Sequence, residues 1–179
     1  MENISRRNFM KGVGAMATAA AATGLLGGCG ATGDVYDDAN GLNSVAQLKG
    51  IKMTVRSLSY ANYSDGTYYI APEVLIKNDS AAGVPLNPTG GSFEVYINGT
   101  NKLDITADSM ARLKKSNSMN AIEARTLSRG QQEKGYICAK GSNATKFNYV
   151  YVIFYPNAND KHTYLRCKID ANKATAMLG

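Results

Sequence analysis

The sequence predicts an all-β protein, a two-sheet antiparallel sandwich of about seven short strands. Short segments of alternating apolar and polar residues recur along the chain, which is typical of half-buried strands. Turn signals such as Asp65-Gly66 and Asn98-Gly99 separate these segments. The composition agrees, with eleven Tyr, no Trp and 18 Gly. No sustained helical period supports a helical bundle, and no crossover helices support a parallel α/β sheet.

The first strands are marked by alternation and by a hairpin turn. Residues Ile51 to Val55 alternate apolar and polar side chains, and the Asp65-Gly66 turn leads into a second strand from Tyr68 to Lys77. Pro72 interrupts this second strand. Because proline lacks a backbone N–H, we expect either an edge strand or a bulge there.

The middle of the chain gives weaker signals. A loop from Gly83 to Gly91 precedes a strand from Phe93 to Ile97, and Lys102 to Thr106 forms a short returning strand. Asp108 is expected to cap one short helix near 108–115. Ser116 to Arg129 forms either a long connection or an edge strand around Ile122 to Leu127.

Three strands finish the chain. The first is Gly135 to Lys140, and the second is Tyr149 to Tyr155, whose unbroken apolar and aromatic character predicts burial on both faces. After a turn at 156–160, the last strand directs Leu165, Cys167 and Ile169 inward and Arg166 and Lys168 outward.

The first 29 residues carry two processing motifs. The run Ser-Arg-Arg-x-Phe-Met-Lys resembles a twin-arginine export signal, and Leu-Gly-Gly-Cys resembles a lipobox, which is cut before an acylated cysteine. The export residues are Arg6, Arg7, Phe9 and Lys11; the lipobox residues are Leu26, Gly27 and Gly28, and Cys29 is the lipidation site. The segment between them is rich in Gly, Ala and Thr, too weakly apolar for a membrane span.

These motifs define the expected organisation and location. Residues 1–28 are a signal peptide, residues 29–49 a flexible tether, and residues 50–179 the sandwich domain. The resemblance implies an exported protein, lipid-anchored to the outer face of the cell membrane, or to the outer membrane in a host with two membranes. It also implies folding before export. Loss of residues 1–28 lowers the formal net charge from +6 to +4, so no nucleic-acid partner is expected.

Lipidation of Cys29 leaves Cys138 and Cys167. In an exported protein an even remainder favours a disulfide, and the alternative is two buried free thiols.

A second resemblance rests on three segments. The run from Tyr69 to Ser80, the strand Ser92 to Tyr96, and the step Leu127 to Ile137 are similar to the telokin-like immunoglobulin domains of bacterial lipoproteins. The similarity covers roughly residues 50 to 170. It implies an immunoglobulin-like sandwich and no particular function, because most members of that family are uncharacterised.

The sequence contains no recognisable catalytic motif. His162 is the only histidine, no C-x-x-C pair is present, and no glycine segment ends as a phosphate loop does. Asp104, Asp108, Glu123 and Glu133 are carboxylates that the sequence alone does not bring together. We therefore expect no enzyme, no cofactor and no metal site.

One stretch has the composition of a binding loop. Between Tyr60 and Tyr69, tyrosines alternate with Ser, Asn, Asp and Gly, a mixture typical of antibody paratopes. The candidate contact residues are Tyr60, Tyr63, Asp65 and Gly66; the alternative is an ordinary packed hairpin. The basic cluster Arg112, Lys114 and Lys115 contacts anionic lipid or wall polymer, or else is a solvated face.

The favoured function is an envelope binding module for a protein, peptide or glycan; the alternative is a structural accessory without a small ligand.

Overall fold

The computed structural model describes residues 28–29, 34–114, 119–142 and 146–176. Within them lie fourteen strands and one α-helix. The strands are β1 (Gly28–Cys29), β2 (Val35–Asn40), β3 (Val45–Leu48), β4 (Ile51–Asn62), β5 (Tyr68–Asn78), β6 (Val84–Leu86), β7 (Phe93–Ile97), β8 (Asn101–Leu103), β9 (Arg125–Leu127), β10 (Gln132–Tyr136), β11 (Ala139–Gly141), β12 (Tyr149–Phe154), β13 (Thr163–Asp170) and β14 (Thr175–Ala176), and the helix is α1 (Ala107–Lys114).

The strands form two main sheets. The first sheet has the order β1-β2-β13-β12-β7-β8, and the second has the order β10-β5-β4-β14, with β11 also paired to β5 and β3 to β4. Strands β6 and β9 form a separate pair. The predicted all-β fold with one short helix is confirmed, although the strands are more numerous than predicted. Two neighbouring pairs, β2 with β13 and β14 with β4, are parallel rather than antiparallel.

The core is built from the alternating apolar residues of the sheets. In β12 and β13 the inward residues are fully buried: Val150, Val152, Phe154, Leu165, Cys167 and Ile169. The inward set predicted for the last strand is therefore confirmed. Each large apolar side chain buried in this way contributes about 1.5–3 kcal/mol.

The predicted tether is wrong from residue 34 onward. Strand β2 adds to the first sheet beside β13, and β3 pairs with β4 in the second sheet. Their inward side chains are small: Ala39 and Ala46 are buried. The carboxylate of Asp38 accepts two hydrogen bonds from Arg166, at 2.8 and 2.7 Å. Polar partners on a distant strand thus stabilise a segment that lacks an apolar alternation of its own.

Pro72 lies in a central strand, so the edge alternative is wrong. Its strand, β5, pairs with β4 on one side and with β10 and β11 on the other. Opposite Pro72 the partner is split between β10 and β11, with only the Ile137 N–H donating to the Pro72 carbonyl at 3.1 Å. A register shift also interrupts β4 between Val55 and Ser57. The irregularity that proline imposes is therefore absorbed by its neighbours.

Helix α1 begins one position before the expected cap. Thr106, not Asp108, is the capping residue: its hydroxyl accepts a hydrogen bond from the Ser109 N–H at 3.1 Å, and its own N–H donates to the Ser109 hydroxyl at 2.9 Å. This reciprocal pair satisfies two backbone donors at the helix start. Met110 and Leu113 are the buried residues that attach the helix to the sandwich.

Of the two alternatives for the cysteines, the structure shows the second: Cys138 and Cys167 are both buried free thiols. Cys167 lies on β13 in the first sheet, whereas Cys138 lies between β10 and β11 beside the second. Burial raises the pKa of each thiol to about 12. Both cysteines therefore act as small apolar core residues.

Among the residues that the structure describes, no helix is long and apolar enough to cross a membrane.

Candidate binding face

The loop predicted from sequence is largely a packed hairpin. Tyr60 is half-buried, and its ring meets the Phe147 ring edge-on at a centroid distance of 6.2 Å. Tyr63 is 39% exposed and packs edge-on against Tyr69 at 5.6 Å. Of the two predicted contact tyrosines, only Tyr63 presents substantial surface to solvent.

Asp65 and Gly66 form the turn of this hairpin. The Asp65 carboxylate accepts a hydrogen bond from the Thr67 N–H at 2.8 Å, which lowers the pKa of Asp65. Gly66 has a φ of +81°, in the region that favours glycine. Both residues therefore have a local structural role.

Arg112, from the predicted basic cluster, belongs to the same tip. Its guanidinium lies 4.9 Å from the centre of the Tyr63 ring and 5.0 Å from that of Tyr69. It also donates a hydrogen bond to the Tyr63 hydroxyl at 3.3 Å. Of the rest of that cluster, Lys115 and the Lys114 side chain lie outside the described residues. The tip is thus an arginine–tyrosine stack on one side of a tight turn.

The outward face of the first sheet carries a larger aromatic and charged surface, here named the tyrosine face. Residues on this face alternate with the buried residues of β2, β13, β12, β7 and β8, so they point away from the core. Tyr149 and Tyr151 are half-buried, so the predicted burial of β12 on both faces is wrong. The face comprises Tyr36, Tyr96, Tyr149, Tyr151, Tyr155 and Tyr164, the cations Lys102, Lys161, Arg166 and Lys168, and the carboxylates Asp38, Glu94 and Asp170.

Stacking of cations on tyrosine rings organises one half of this face. The Arg166 guanidinium lies 5.3 Å from the Tyr36 ring centre and 4.8 Å from that of Tyr151. Tyr36 stacks on Tyr164, with 5.0 Å between centroids and 2° between planes. The Lys168 ammonium lies 4.4 Å from the Tyr149 ring centre. Each such cation–π contact contributes roughly 0.5–1 kcal/mol at an exposed site.

The other half is organised around Glu94, which is only 9% exposed. Its carboxylate accepts hydrogen bonds from the hydroxyls of Tyr96 and Tyr155, both at 2.9 Å, and from the Lys102 ammonium at 2.7 Å. The Lys161 ammonium lies 3.5 Å from the same carboxylate. A nearly buried carboxylate is thus fully satisfied by four neighbours.

The same contacts set the pKa values of this cluster. Burial alone raises the pKa of Glu94, but the hydrogen bonds from Lys102, Tyr96 and Tyr155 outweigh it and leave the pKa below its ordinary value. Burial, with the bond to Glu94, raises the pKa of Tyr96 to about 12 and also raises that of Tyr155. At neutral pH Glu94 is therefore charged and both phenols are protonated donors.

The remaining sequence candidates have other partners. The His162 ring nitrogen Nδ1 lies 2.8 Å from an Asp34 oxygen, and this hydrogen bond raises the pKa of the exposed His162. Glu123 and Glu133 line one open cleft, and Asp104 and Asp108 line another. Glu133 forms an ion pair with Arg125 at 3.2 Å. Within the described ranges, no group of three or more His, Cys, Asp or Glu residues is placed to hold a metal ion.

No protein-family model matches the sequence, and no curated protein matches it.

Solved structures share the fold at low sequence identity. The ycdA protein of Bacillus subtilis subsp. subtilis str. 168, provisionally described as a lipoprotein, has a TM-score of 0.52 and 13% identity. The match covers 72% of this chain and 38% of that chain. The chain therefore spans well under half of that protein. The yjhA protein of Bacillus subtilis has a TM-score of 0.49 and 13% identity, with 74% of this chain and 99% of that chain covered. An uncharacterised β-sandwich protein of Clostridium difficile 630 has a TM-score of 0.43 and 11% identity, with 75% and 96% covered. The likeness to ycdA shows that the two chains share a fold.

Proposed function

We propose that this chain is an exported lipoprotein, anchored through Cys29, whose sandwich is a non-enzymatic binding module of the cell envelope. The twin-arginine and lipobox motifs support the location. The fold that the chain shares with ycdA, itself provisionally described as a lipoprotein, is compatible with this location.

The observation that carries the binding role is the tyrosine face. Tyrosines offer large, rigid contact surfaces with few rotatable bonds, and Arg and Tyr are enriched where proteins bind partners. Here internal stacking already fixes several of these side chains, for example Arg166 between Tyr36 and Tyr151. Because their rotamers are held before a ligand arrives, little conformational entropy is lost on binding.

Export and anchoring are tested by two variants of the full chain. Replacing Arg6 and Arg7 with Lys is expected to stop export, and Cys29→Ala is expected to abolish acylation and release the protein from the membrane. Cell fractionation with mass spectrometry of the mature N-terminus measures both effects. A Cys29→Ala protein that remains fully membrane-bound would contradict the lipoprotein assignment.

The binding face is tested by site-specific photocrosslinking in intact membranes. A photoreactive phenylalanine analogue replaces Tyr151 on the tyrosine face, and the matched control places it at Lys134, an exposed position on the second sheet. We expect a discrete adduct from position 151 and none from position 134. Equal crosslinking at both positions, or none at 151, would contradict the proposed face.

A further inference from the structure

We infer that the short link from Cys29 holds one end of the sandwich against the surface of the lipid bilayer, and that the Tyr60–Tyr69 hairpin points away from the membrane. This inference rests on the proposed lipidation of Cys29 and identifies which end of the domain contacts the bilayer. Two observations carry it: the length of chain between Cys29 and the first sheet, and the direction in which the strands leave that point.

The link between the lipidated residue and the folded domain is short. Four residues separate Cys29 from Asp34, so the two Cα atoms are at most about 18 Å apart even in a fully extended chain. The domain is fastened from Asp34 onward: an Asp34 carboxylate oxygen lies 2.8 Å from the His162 ring nitrogen Nδ1, and the Val35 N–H donates to the His162 carbonyl at 2.7 Å. The backbone of Cys29 itself pairs with Val35, and paired strands lie about 5 Å apart. The acyl chains of Cys29 therefore enter the bilayer beside the start of β2.

The start of β2 marks the end of the sandwich that faces the bilayer, here named the anchor end. In the first sheet Val35 pairs with Thr163, the first residue of β13, and β12 ends and β7 begins on the same side. The anchor end therefore carries the connections at 87–92 and 155–162. Val35, beside Cys29, is a large apolar side chain with 39% of its surface exposed, which favours contact with the bilayer interface over contact with water.

Strand β4 runs away from the anchor end. The Ser44 hydroxyl donates to the Asn40 carbonyl at 2.6 Å, and the Gln47 N–H donates to the Asp37 carboxylate at 2.7 Å. Strand β3 thus returns alongside β2 toward the anchor end. Because β4 is antiparallel to β3, it leaves the anchor end in the same direction as β2.

The hairpin that follows β4 lies at the opposite end of the sandwich. Strand β2 extends about 17 Å from the anchor end, and the turn after it reaches the level of Val55, because Asn43 donates its N–H to the Val55 carbonyl at 2.8 Å. Strand β4 continues for seven residues beyond Val55 to Asn62, about a further 20 Å. There the Tyr60 ring meets the Phe147 ring, just before the start of β12. The hairpin tip is therefore about 35 Å farther along the strands than the start of β2.

This orientation decides what each surface contacts. The strands of the first sheet rise from the bilayer, so the tyrosine face stands upright and is open to a partner that approaches from the side. Arg112, which stacks on Tyr63 at the hairpin tip, is held away from the lipid headgroups. Of the two alternatives for Arg112, the solvated face is therefore the one that fits an anchored chain.

Energy transfer to labelled lipid headgroups tests the orientation of the lipidated, mature protein. Asn159→Cys places a fluorescent donor at the anchor end, and Ser64→Cys places the same donor at the hairpin tip; both are exposed turn positions. Cys138 and Cys167 are buried thiols with raised pKa values, so they do not react with a thiol-specific dye in the folded protein.

The acceptor is a rhodamine-labelled phosphatidylethanolamine in phosphatidylcholine vesicles. We expect transfer from position 159 to be at least about twofold more efficient than from position 64, because the two donors differ by about 35 Å in height. Since the link is covalent, the difference should persist as salt rises. Equal transfer from both positions, or more efficient transfer from position 64, would overturn the inference.

A longer link tests whether chain length causes the orientation. Inserting ten Gly and Ser residues after Gly33 raises the maximum span from Cys29 to Asp34 to about 54 Å, so transfer from position 159 should fall toward that from position 64. The matched control appends the same ten residues after Gly179 and leaves transfer unchanged. Circular dichroism and urea unfolding establish that each variant is folded. Transfer from position 159 that the longer link leaves unchanged would also overturn the inference.

The acylation of Cys29 is measured separately, by mass spectrometry of the N-terminal peptide and by flotation with the vesicles. A chain that lacks acyl groups and does not float contradicts the proposed anchoring, and this inference with it. An acylated, membrane-bound chain with equal transfer from both positions overturns only the orientation.

Discussion

The Tyr60–Tyr69 hairpin and the tyrosine face are both rich in tyrosine, but their tyrosines have different surroundings. In the hairpin, Tyr68 and Tyr69 are 5% and 8% exposed, and Tyr60 packs against Phe147. On the face, Tyr149 and Tyr151 are half-buried, like Tyr60, but lie beside the cations Lys168 and Arg166. The hairpin tyrosines lie within ten residues of one another in the sequence, whereas those of the face come from β2, β7, β12 and β13. The local density of tyrosine in the sequence therefore does not predict which tyrosines form one continuous surface; the pairing of the strands decides that.

Glycines make room for tyrosine side chains in both regions. A Cβ added at Gly141 would collide with the Tyr68 ring, so that ring fills the space a side chain would take. This hairpin tyrosine is consumed by packing within the second sheet, where β11 pairs with β5. On the tyrosine face, a Cβ added at Gly99 would lie 2.9 Å from the Tyr149 hydroxyl oxygen, so Tyr149 also packs over a glycine.

The largest expected effect on stability is at Glu94. Glu94→Gln removes the charge that three hydrogen bonds surround, so we expect unfolding to become easier by about 2–3 kcal/mol. The matched control is Glu133→Gln, which removes a partly exposed ion pair with Arg125 and should cost less than about 1 kcal/mol. Urea unfolding at pH 7 measures both. Equal losses would show that the Glu94 cluster is no more than a surface ion pair.

The pH dependence of the free energy of unfolding distinguishes the tyrosine face from the hairpin. Because the pKa of Glu94 is lowered on folding, its stabilisation is present above the ordinary pKa near 4.5 and is lost as pH falls through the folded value. The stability gap between the wild type and Glu94→Gln should therefore shrink from pH 6 to pH 3. Asp65→Asn at the exposed hairpin turn should show a smaller change over the same range. A gap at Glu94 that is constant with pH would contradict the lowered pKa.

The next effect is at Tyr60. Tyr60→Ala removes a half-buried ring from Phe147 and should lower the free energy of unfolding by about 1–2 kcal/mol, with Tyr63→Ala costing less than about 1 kcal/mol. Neither change is expected to alter crosslinking from position 151 while the domain is folded. Thermal unfolding and photocrosslinking in intact membranes separate the outcomes. Loss of the crosslinked adduct with unchanged stability would return the hairpin to the role of binding loop.

A purely local effect is expected at Gly66. Its φ of +81° disfavours any other residue, although no atom lies within 4 Å of an added Cβ. Gly66→Ala should therefore cost only about 1–2 kcal/mol, from backbone strain alone. Gly130 has the same φ and the same open space, so Gly130→Ala is a matched control with the same expected loss. A larger loss at Gly66 in urea unfolding would reveal a packing role for the turn.

Several features of the fold were predictable because their causes are local. The alternation around Ile51–Val55 and in the last strand, and the turns at Asp65-Gly66 and Asn98-Gly99, fix strand direction and facing within a few residues. The outward positions of Arg166 and Lys168 followed from the same alternation. What these residues would contact did not follow.

The sequence by itself determined the fold class, the hairpins and the inward residues of the last strand. Only the tertiary structure decided that β2 belongs to the sandwich, that Pro72 is central, that Cys138 and Cys167 stay apart, and where the tyrosine face lies. The physical reason is sequence distance: Asp38 and Arg166 are 128 residues apart, and Glu94 and Tyr155 are 61 apart. Such contacts depend on which strands become neighbours, and no local pattern of side chains specifies that pairing.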